Sequence, residues 1–460
     1  MFFRIMVAGF CALLMLPSLK VSADSELIDM DKVVSVADLH ADLYALVEGY
    51  YSLHPAPHHN LDAIELNNTV KKIKSQLTKP MTVKEAWRLF SLINPVLHDG
   101  HAGIAIPRRK SLIEKELSQG KRVFPLHVYL DLNNRLFLRK DFHGSSFLPS
   151  GIEILSINGK TSKEIIKEML LRRSGDNVEQ QRELISRWFS EEYWSNFDAA
   201  PNYEIEYLEN DIRHTVNIQG SDTLMDKKLS QRSFDSLYSY KLLNDSTGYI
   251  RVETMNKKFF KEFLAMTETA FEYFKKQNVS DLVIDISDNG GGGNSMWQKG
   301  IMPYIAHTPY RYSSAYKARV TKEIASADDV IGMRVSGDIE MTEPDLTNPL
   351  KFKGNVYILV GSMTYSSAIH FAIAVQDHGI GSIIGTPTAG RSGTTGLVTD
   401  IKLKATGLDA YAPVVLYSRP SNKNNMLSVQ PDIFIPFDAI HSYDLDKMFA
   451  NKAICLLAND

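Results

Sequence analysis

The sequence predicts an α/β core preceded by a helical segment and a β-rich segment. Three patterns carry that expectation. From Gly248 onward, short apolar strands alternate with helical runs, which is the order of a parallel sheet with crossover helices. Two of those strands, residues 281–286 and 355–360, lead into glycine-containing turns and then into helices. Upstream, apolar residues recur every three or four positions over residues 36–97, and short alternating runs follow over 111–220.

The helical segment reads as three helices, residues 37–51, 61–77 and 83–97, parted by proline-containing breaks. Between the first two, His54-Pro-Ala-Pro-His58-His59 reads as a loop with solvent-facing histidines. The β-rich segment offers strands at 123–130, 135–139, 152–157, 203–208 and 213–218, with Asn133-Asn134 and Asn158-Gly159 as turns. Helices are expected at 162–171 and 178–189. In the core the order is strand 248–252, helix 258–276, strand 281–286, glycine turn and helix 294–305. An irregular stretch, 312–349, reads as a loop or lid; strand 355–360, a helix and strands at 382–384, 397–403 and 411–415 follow. The predicted divisions are 1–23, 24–110, 111–222 and 223–460.

Composition is ordinary for a globular protein: 460 residues, 44% hydrophobic, 23% charged, formal net charge -3. Nothing in that balance suggests nucleic-acid binding. Met1-Phe-Phe-Arg4, an apolar run over 5–17 and Val21-Ser22-Ala23 before Asp24 read as a cleaved export signal, so residence in a periplasm or outside the cell is expected. With Cys11 inside that signal, only Cys455 survives maturation and no intrachain disulfide can form. No other segment is long and apolar enough to suggest stable membrane insertion.

Three motifs carry chemistry. Residues 361–391 place Ser366 and Ser367 where a buried strand turns into a helix, as Ala368, Phe371, Ala372 and Val375 recur at helical spacing. There the free N–H groups and the positive end of the helix favour an oxyanion or developing alkoxide. Serine is also a preferred N-cap, so the Ser366 hydroxyl serves either to cap or to attack. The second motif, residues 281–294, is a strand followed by Gly290 to Gly293, whose backbone N–H groups can approach a substrate closely. No Lys-Ser or Lys-Thr follows, as a phosphate-gripping loop requires. In the third, residues 96–106, His101 lies between a helix and a short strand, where an imidazole can accept a hydroxyl proton near neutrality. His98 and His101 lack a third nearby ligand that would complete a zinc signature.

In order, HDGH, INGK, DISDNGGGG, TYSSA, QDHG, GTPTAGR and QPDIFI resemble the serine peptidases that include the C-terminal-processing (tail-specific) and tricorn-core enzymes, over about residues 50–436. The resemblance implies a crotonase-like peptidase core, Ser366 as nucleophile and an oxyanion hole from the N–H groups of Ser367 and of Gly290 or Gly291. It also implies peptide or unfolded-protein substrates and no cofactor or metal. GIEILSING and the helix after it resemble part of a PDZ-like module, which captures an extended peptide at a sheet edge.

Processing enzymes of this family use a lysine at the position of Arg391, and a guanidinium that stays protonated cannot act as a base. The tricorn-like branch uses a histidine that matches His101. That branch also has a glutamate before the PD motif, where residues 422–432 contain none. Asn425 falls near that place and can hold an imidazole in one tautomer without stabilising its charge. Asp99, Asp377 and Asp400 are other carboxylates that could orient it. Ser287 stands where the family usually carries an arginine. The sequence thus points to a secreted or periplasmic serine endopeptidase. The rivals are a peptide- or apolar-ligand-binding relative on the same scaffold and an acyl-CoA enzyme that makes no use of Ser366.

Overall fold

A computed structural model describes residues 27–141, 148–224, 233–326 and 329–435. The export signal read at residues 1–23 and both cysteines lie outside the described residues. The described residues form two compact units, 27–224 with 398–414, and 233–397 with 415–435. A sequence boundary at 222 does not anticipate the grouping of 398–414 with the N-terminal residues.

In the N-terminal unit, helices Val36–Leu53, Ala63–Gln76 and Val83–Phe90 each begin behind a short polar cap, Ser35, Asp62 and Thr82. Thr82 and Glu85 cap reciprocally, the Thr82 N–H donating to Glu85 Oε2 at 2.8 Å. The helix expected over 83–97 is shorter. Pro95 has no N–H for the Ser91 carbonyl, and Asn94 takes that oxygen instead at 3.0 Å, so the chain continues as 3-10 turns at Ser91–Ile93 and Pro95–Leu97. These helices bury Leu39, Leu43, Ile73 and Phe90 in one core with Leu403 and Leu408. Buried Asp42 holds the 405–406 turn, accepting the Thr406 N–H and hydroxyl, both at 2.8 Å.

A second core in this unit lies under an antiparallel sheet of Leu126–Leu130, Leu136–Asp141, Glu153–Ile157, Asn202–Glu209 and Ile212–Gln219, paired in that order. All five strands lie where alternation placed them. The helix expected over 178–189 extends further and breaks at Trp188 into Val178–Arg187 and Phe189–Phe197.

The C-terminal unit is built on a six-stranded sheet ordered Tyr238–Asn244, Thr247–Val252, Asp281–Asp285, Asn355–Val360, Ser382–Gly385 and Ile433–Phe434. The first pair is antiparallel and the rest are parallel. Both faces are covered, so the strands read as continuous apolar runs. Leu282, Ile284, Ile358 and Val360 face the core beneath helices Phe260–Lys276 and Ser367–Asp377, while Val283, Tyr357 and Leu359 belong to a separate cluster. Tyr238–Asn244 was not expected. The stretch read as irregular contains a hairpin, Ala315–Arg319 with Arg334–Asp338. Only Tyr316 and Ala318 of its first strand are buried, too faint a pattern to register as a strand.

Asp377, at the end of the Ser367–Asp377 helix, is committed to Arg419. The guanidinium donates to it at 2.7 and 3.0 Å and the Ser421 N–H at 2.9 Å, with side chains 7% and 11% exposed. Burial works to raise its pKa, but the Arg419 and Ser421 hydrogen bonds prevail and hold it below the usual carboxylate value. Breaking a buried pair leaves an uncompensated charge, so Asp377→Ala is expected to lose about 3–5 kcal/mol in denaturant unfolding. A lowered folded-state value means the contribution is fully present above about pH 4 and fades as pH falls further. Asp377→Asn should therefore flatten the loss of stability on acidification seen for the parent chain in that window.

Candidate active site

The serine and glycine turns meet because their strands are neighbours in parallel register. Asp281 pairs with Asn355 and Asp285 with Leu359, so the two carboxyl ends stop at the same level and the turns emerge side by side. Side-chain and backbone bonds then lock them together. Thr364 donates its hydroxyl to the Ile286 carbonyl at 2.8 Å, and the Tyr365 N–H donates to the Asn289 carbonyl at 3.0 Å. Asn289 is fully buried and donates its amide to the Val252 carbonyl at 2.9 Å, tying in a third strand.

Ser366 precedes the Ser367–Asp377 helix with φ 53° and ψ -120°, and its side chain makes no capping hydrogen bond. Its carbonyl accepts the His370 N–H at 3.1 Å, so the residue occupies the cap position without using its hydroxyl as Thr82 and Thr161 do. A positive φ outside the left-handed helical well is costly for a residue with a Cβ, of order 1–3 kcal/mol, and persists only where surroundings enforce it. The enforcing neighbour is Gly291, φ 103°, where a Cβ would stand 2.7 Å from Ser366 Cβ and 2.8 Å from the Tyr365 carbonyl oxygen. Of the serine pair, Ser367 is buried and its hydroxyl accepts the Trp297 indole N–H at 3.2 Å, while Ser366 is half-buried.

The two candidate glycines differ. The Gly291 N–H donates to Asn289 Oδ1 at 2.9 Å. Gly290 is exposed, and among the described residues its N–H has no recorded partner. The Ser367 N–H, at the first helical position, lies 3.2 Å from where a Gly291 Cβ would be.

One helical turn beyond Ser366 is a residue that sequence reading missed. His370 is buried, with Nδ1 3.2 Å from the Asn294 amide and its ring 4.9 and 5.0 Å from Tyr417 and Tyr312. Its spacing of four from Ser366 was the available signal.

Asn425 has other partners. Its Oδ1 accepts the Arg419 N–H at 2.6 Å and its Nδ2 donates to Asn422 at 3.2 Å, while its carbonyl accepts the Gly393 N–H at 2.8 Å. Both ends of the carboxamide thus serve the 419–425 loop. Asp400 is exposed. Ser287 donates its hydroxyl to Asp285 at 2.7 Å, and burial raises the pKa of that carboxyl despite hydrogen bonds from Tyr249 and Ser287.

His101 lies in the N-terminal unit. The Pro95–Leu97 turn ends at His98 in a left-handed conformation, and the chain passes through His101 into the strand Gly103–Ala105, as the sequence implied. The Gly100 N–H donates to Asp176 at 2.8 Å, and Asn94 holds the strand's start by bonding both the N–H and carbonyl of Ile104 at 2.8 and 3.0 Å. Asp99 has no exposed side-chain surface; its Oδ1 accepts the His101 N–H at 2.8 Å, and the His101 side chain is 14% exposed. No group of three or more His, Cys, Asp or Glu suited to a metal ion occurs among the described residues.

Residues 246–435 match peptidase family S41. These residues form an S41 peptidase domain. The chain is accordingly a serine-type peptidase. Its fold is similar to that of mature CPAF complexed with lactacystin, at TM-score 0.64 and 15% identity, covering 92% of this chain and 100% of that one. Another structure of mature CPAF gives 0.63 and 14%, covering 92% and 98%. No curated protein matches the chain.

At Gly291 an added side chain would run into Ser366 itself. In Gly291→Ala, helix content by circular dichroism should persist while peptidase turnover falls by about 100-fold or more, because the added Cβ displaces the Ser366 turn.

Proposed function

We propose that this S41 peptidase is an exported endopeptidase that cleaves peptide bonds with Ser366 as nucleophile and His101 as base. The observation that carries the reading is the strained, uncapped Ser366 turn pressed against Gly291. Ser366 Oγ attacks the peptide carbonyl carbon as the His101 imidazole takes its proton, then gives it to the leaving amine; water releases the acyl group by the same route. The N–H groups of Ser367 and Gly290 hold the oxyanion, since the Gly291 N–H already bonds Asn289. A Ser–Lys pair at the TAGR segment is chemically excluded because Arg391 cannot deprotonate.

The six-stranded antiparallel sheet has Leu126–Leu130 and Ile212–Gln219 as its end strands among the described residues, which supports the PDZ-like reading in which an extended substrate adds as a strand. Export rests on the signal-like residues 1–23, and mass spectrometry of the mature protein should find an amino terminus at Asp24.

A fluorophosphonate probe tests the chemistry. Labelling at Ser366 is expected, to vanish in Ser366→Ala and to slow by about 100-fold or more in His101→Ala. Cleavage should fall as pH drops through about 6 to 7, the range in which an imidazole takes up a proton. A folded chain that resists labelling favours the ligand-binding alternative, and activity climbing toward pH 10 without an inflection near neutrality removes His101.

A further inference from the structure

The motif around His101 has a second histidine that no sequence pattern connects to it. His54 closes the helix Val36–Leu53, is wholly buried, and brings Nε2 to 3.5 Å from Asp99 Oδ2. Its other nitrogen is occupied. The Ala56 N–H donates to Nδ1 at 3.1 Å, so Nδ1 is an acceptor and the ring proton resides on Nε2, facing the carboxylate. The opposite oxygen of Asp99 accepts the His101 backbone N–H and lies 4.0 Å from His101 Nδ1.

We propose that Asp99, held by His54, is the positioning residue of the catalytic imidazole: it presents the negative charge to His101 Nδ1 that Asn425 cannot supply. This inference rests on His101 being the base. In such an arrangement the carboxylate stays ionised and steadies the imidazolium formed when Ser366 is deprotonated. No proton passes beyond His101. His54 Nε2 faces the far oxygen of Asp99 at 3.5 Å and holds the carboxylate from behind.

The surroundings suit an ionised Asp99. Burial works against the charge, but the His54 imidazole, the His101 imidazole and the His101 N–H outweigh it and keep the carboxyl below its usual range. The charge is felt across the cluster: the Tyr50 phenol, whose ring is 5.2 Å from His54, is pushed upward first by burial and then by Asp99. The other titratable groups around this loop are Asp176, which accepts the Gly100 N–H, and the His98–Glu65 pair at 3.6 Å.

The test follows the rate at which a fluorophosphonate probe labels Ser366 in the full chain as a function of pH, in the parent, Asp99→Asn, His54→Gln, His54→Leu and His101→Ala. Asp99→Asn keeps the shape and removes the charge. Its labelling rate should fall by about 100-fold, and the acid limb of the profile should move to lower pH by about one unit, because a neighbouring carboxylate no longer favours the protonated ring. A purely structural role would lower the rate without moving that limb. Should Asp99→Asn fail to fold, the His54 pair decides. His54→Leu should lose about tenfold in rate with its acid limb shifted, and His54→Gln, which still offers an N–H to Asp99, should recover most of the loss. Unmoved acid limbs in every folded Asp99 and His54 variant, with His101→Ala inert, overturn the positioning role and leave the base assignment standing. If His101→Ala labels as fast as the parent, the base assignment fails and this inference fails with it.

Discussion

The parallel, in-register pairing of Asp281–Asp285 with Asn355–Val360 is the constraint on which the S41 domain depends. A parallel pair brings both chain exits to one edge, so two turns distant in sequence must share one space. The glycines satisfy that demand at the contact itself. Asn289 satisfies it from beneath: one buried carboxamide accepts the Gly291 N–H, donates to the Val252 carbonyl, and its backbone accepts the Tyr365 N–H. A hydrophobic residue there would leave the Gly291 N–H and the Val252 carbonyl without the carboxamide, each a polar group needing a partner.

That clamp explains how Ser366 keeps its backbone. At several helix starts in this chain a hydroxyl folds back to cap, and the backbone before the helix is extended, as at Ser35, Thr82 and Thr161. At Ser366 the side-chain cap is absent and the backbone takes φ 53° and ψ -120° in place of the extended form. Ser367, adjacent and chemically identical, has its hydroxyl occupied by Trp297. The distinction between two consecutive serines is therefore one of backbone conformation, not residue type.

The carboxylates and cations near the candidate site are mostly committed to structural partners. Arg391 cannot be a base, and the absence of a glutamate before Pro431-Asp432 removes one source of negative charge. Asp432 itself is structural, accepting the Ile383 N–H at 2.7 Å and the Gln376 amide at 2.8 Å. Asp377 is bound to Arg419. Asp99 alone among the carboxylates considered is both wholly buried and directed at imidazoles, and burial makes its charge count for more than it would in solvent.

Much of this was legible in the sequence because it depends on local pattern. Alternation located the five strands of the antiparallel sheet, unbroken apolar runs located the doubly covered strands, and glycine after a strand marked both turns of the site. The break before Pro95 and the break at Trp188 were not read correctly, since helical spacing continues through them while the hydrogen-bond ladder does not. What the sequence by itself determined is which residue types are on offer for acyl transfer, a serine after a strand, a glycine run and a histidine, because their chemistry is intrinsic to residue type. The tertiary structure alone decided that Ser366 does not cap, that Gly291 spends its N–H on Asn289 and that His54 reaches Asp99. Each of those depends on contacts between residues that no local periodicity relates, made only when strands pair and helix ends pack.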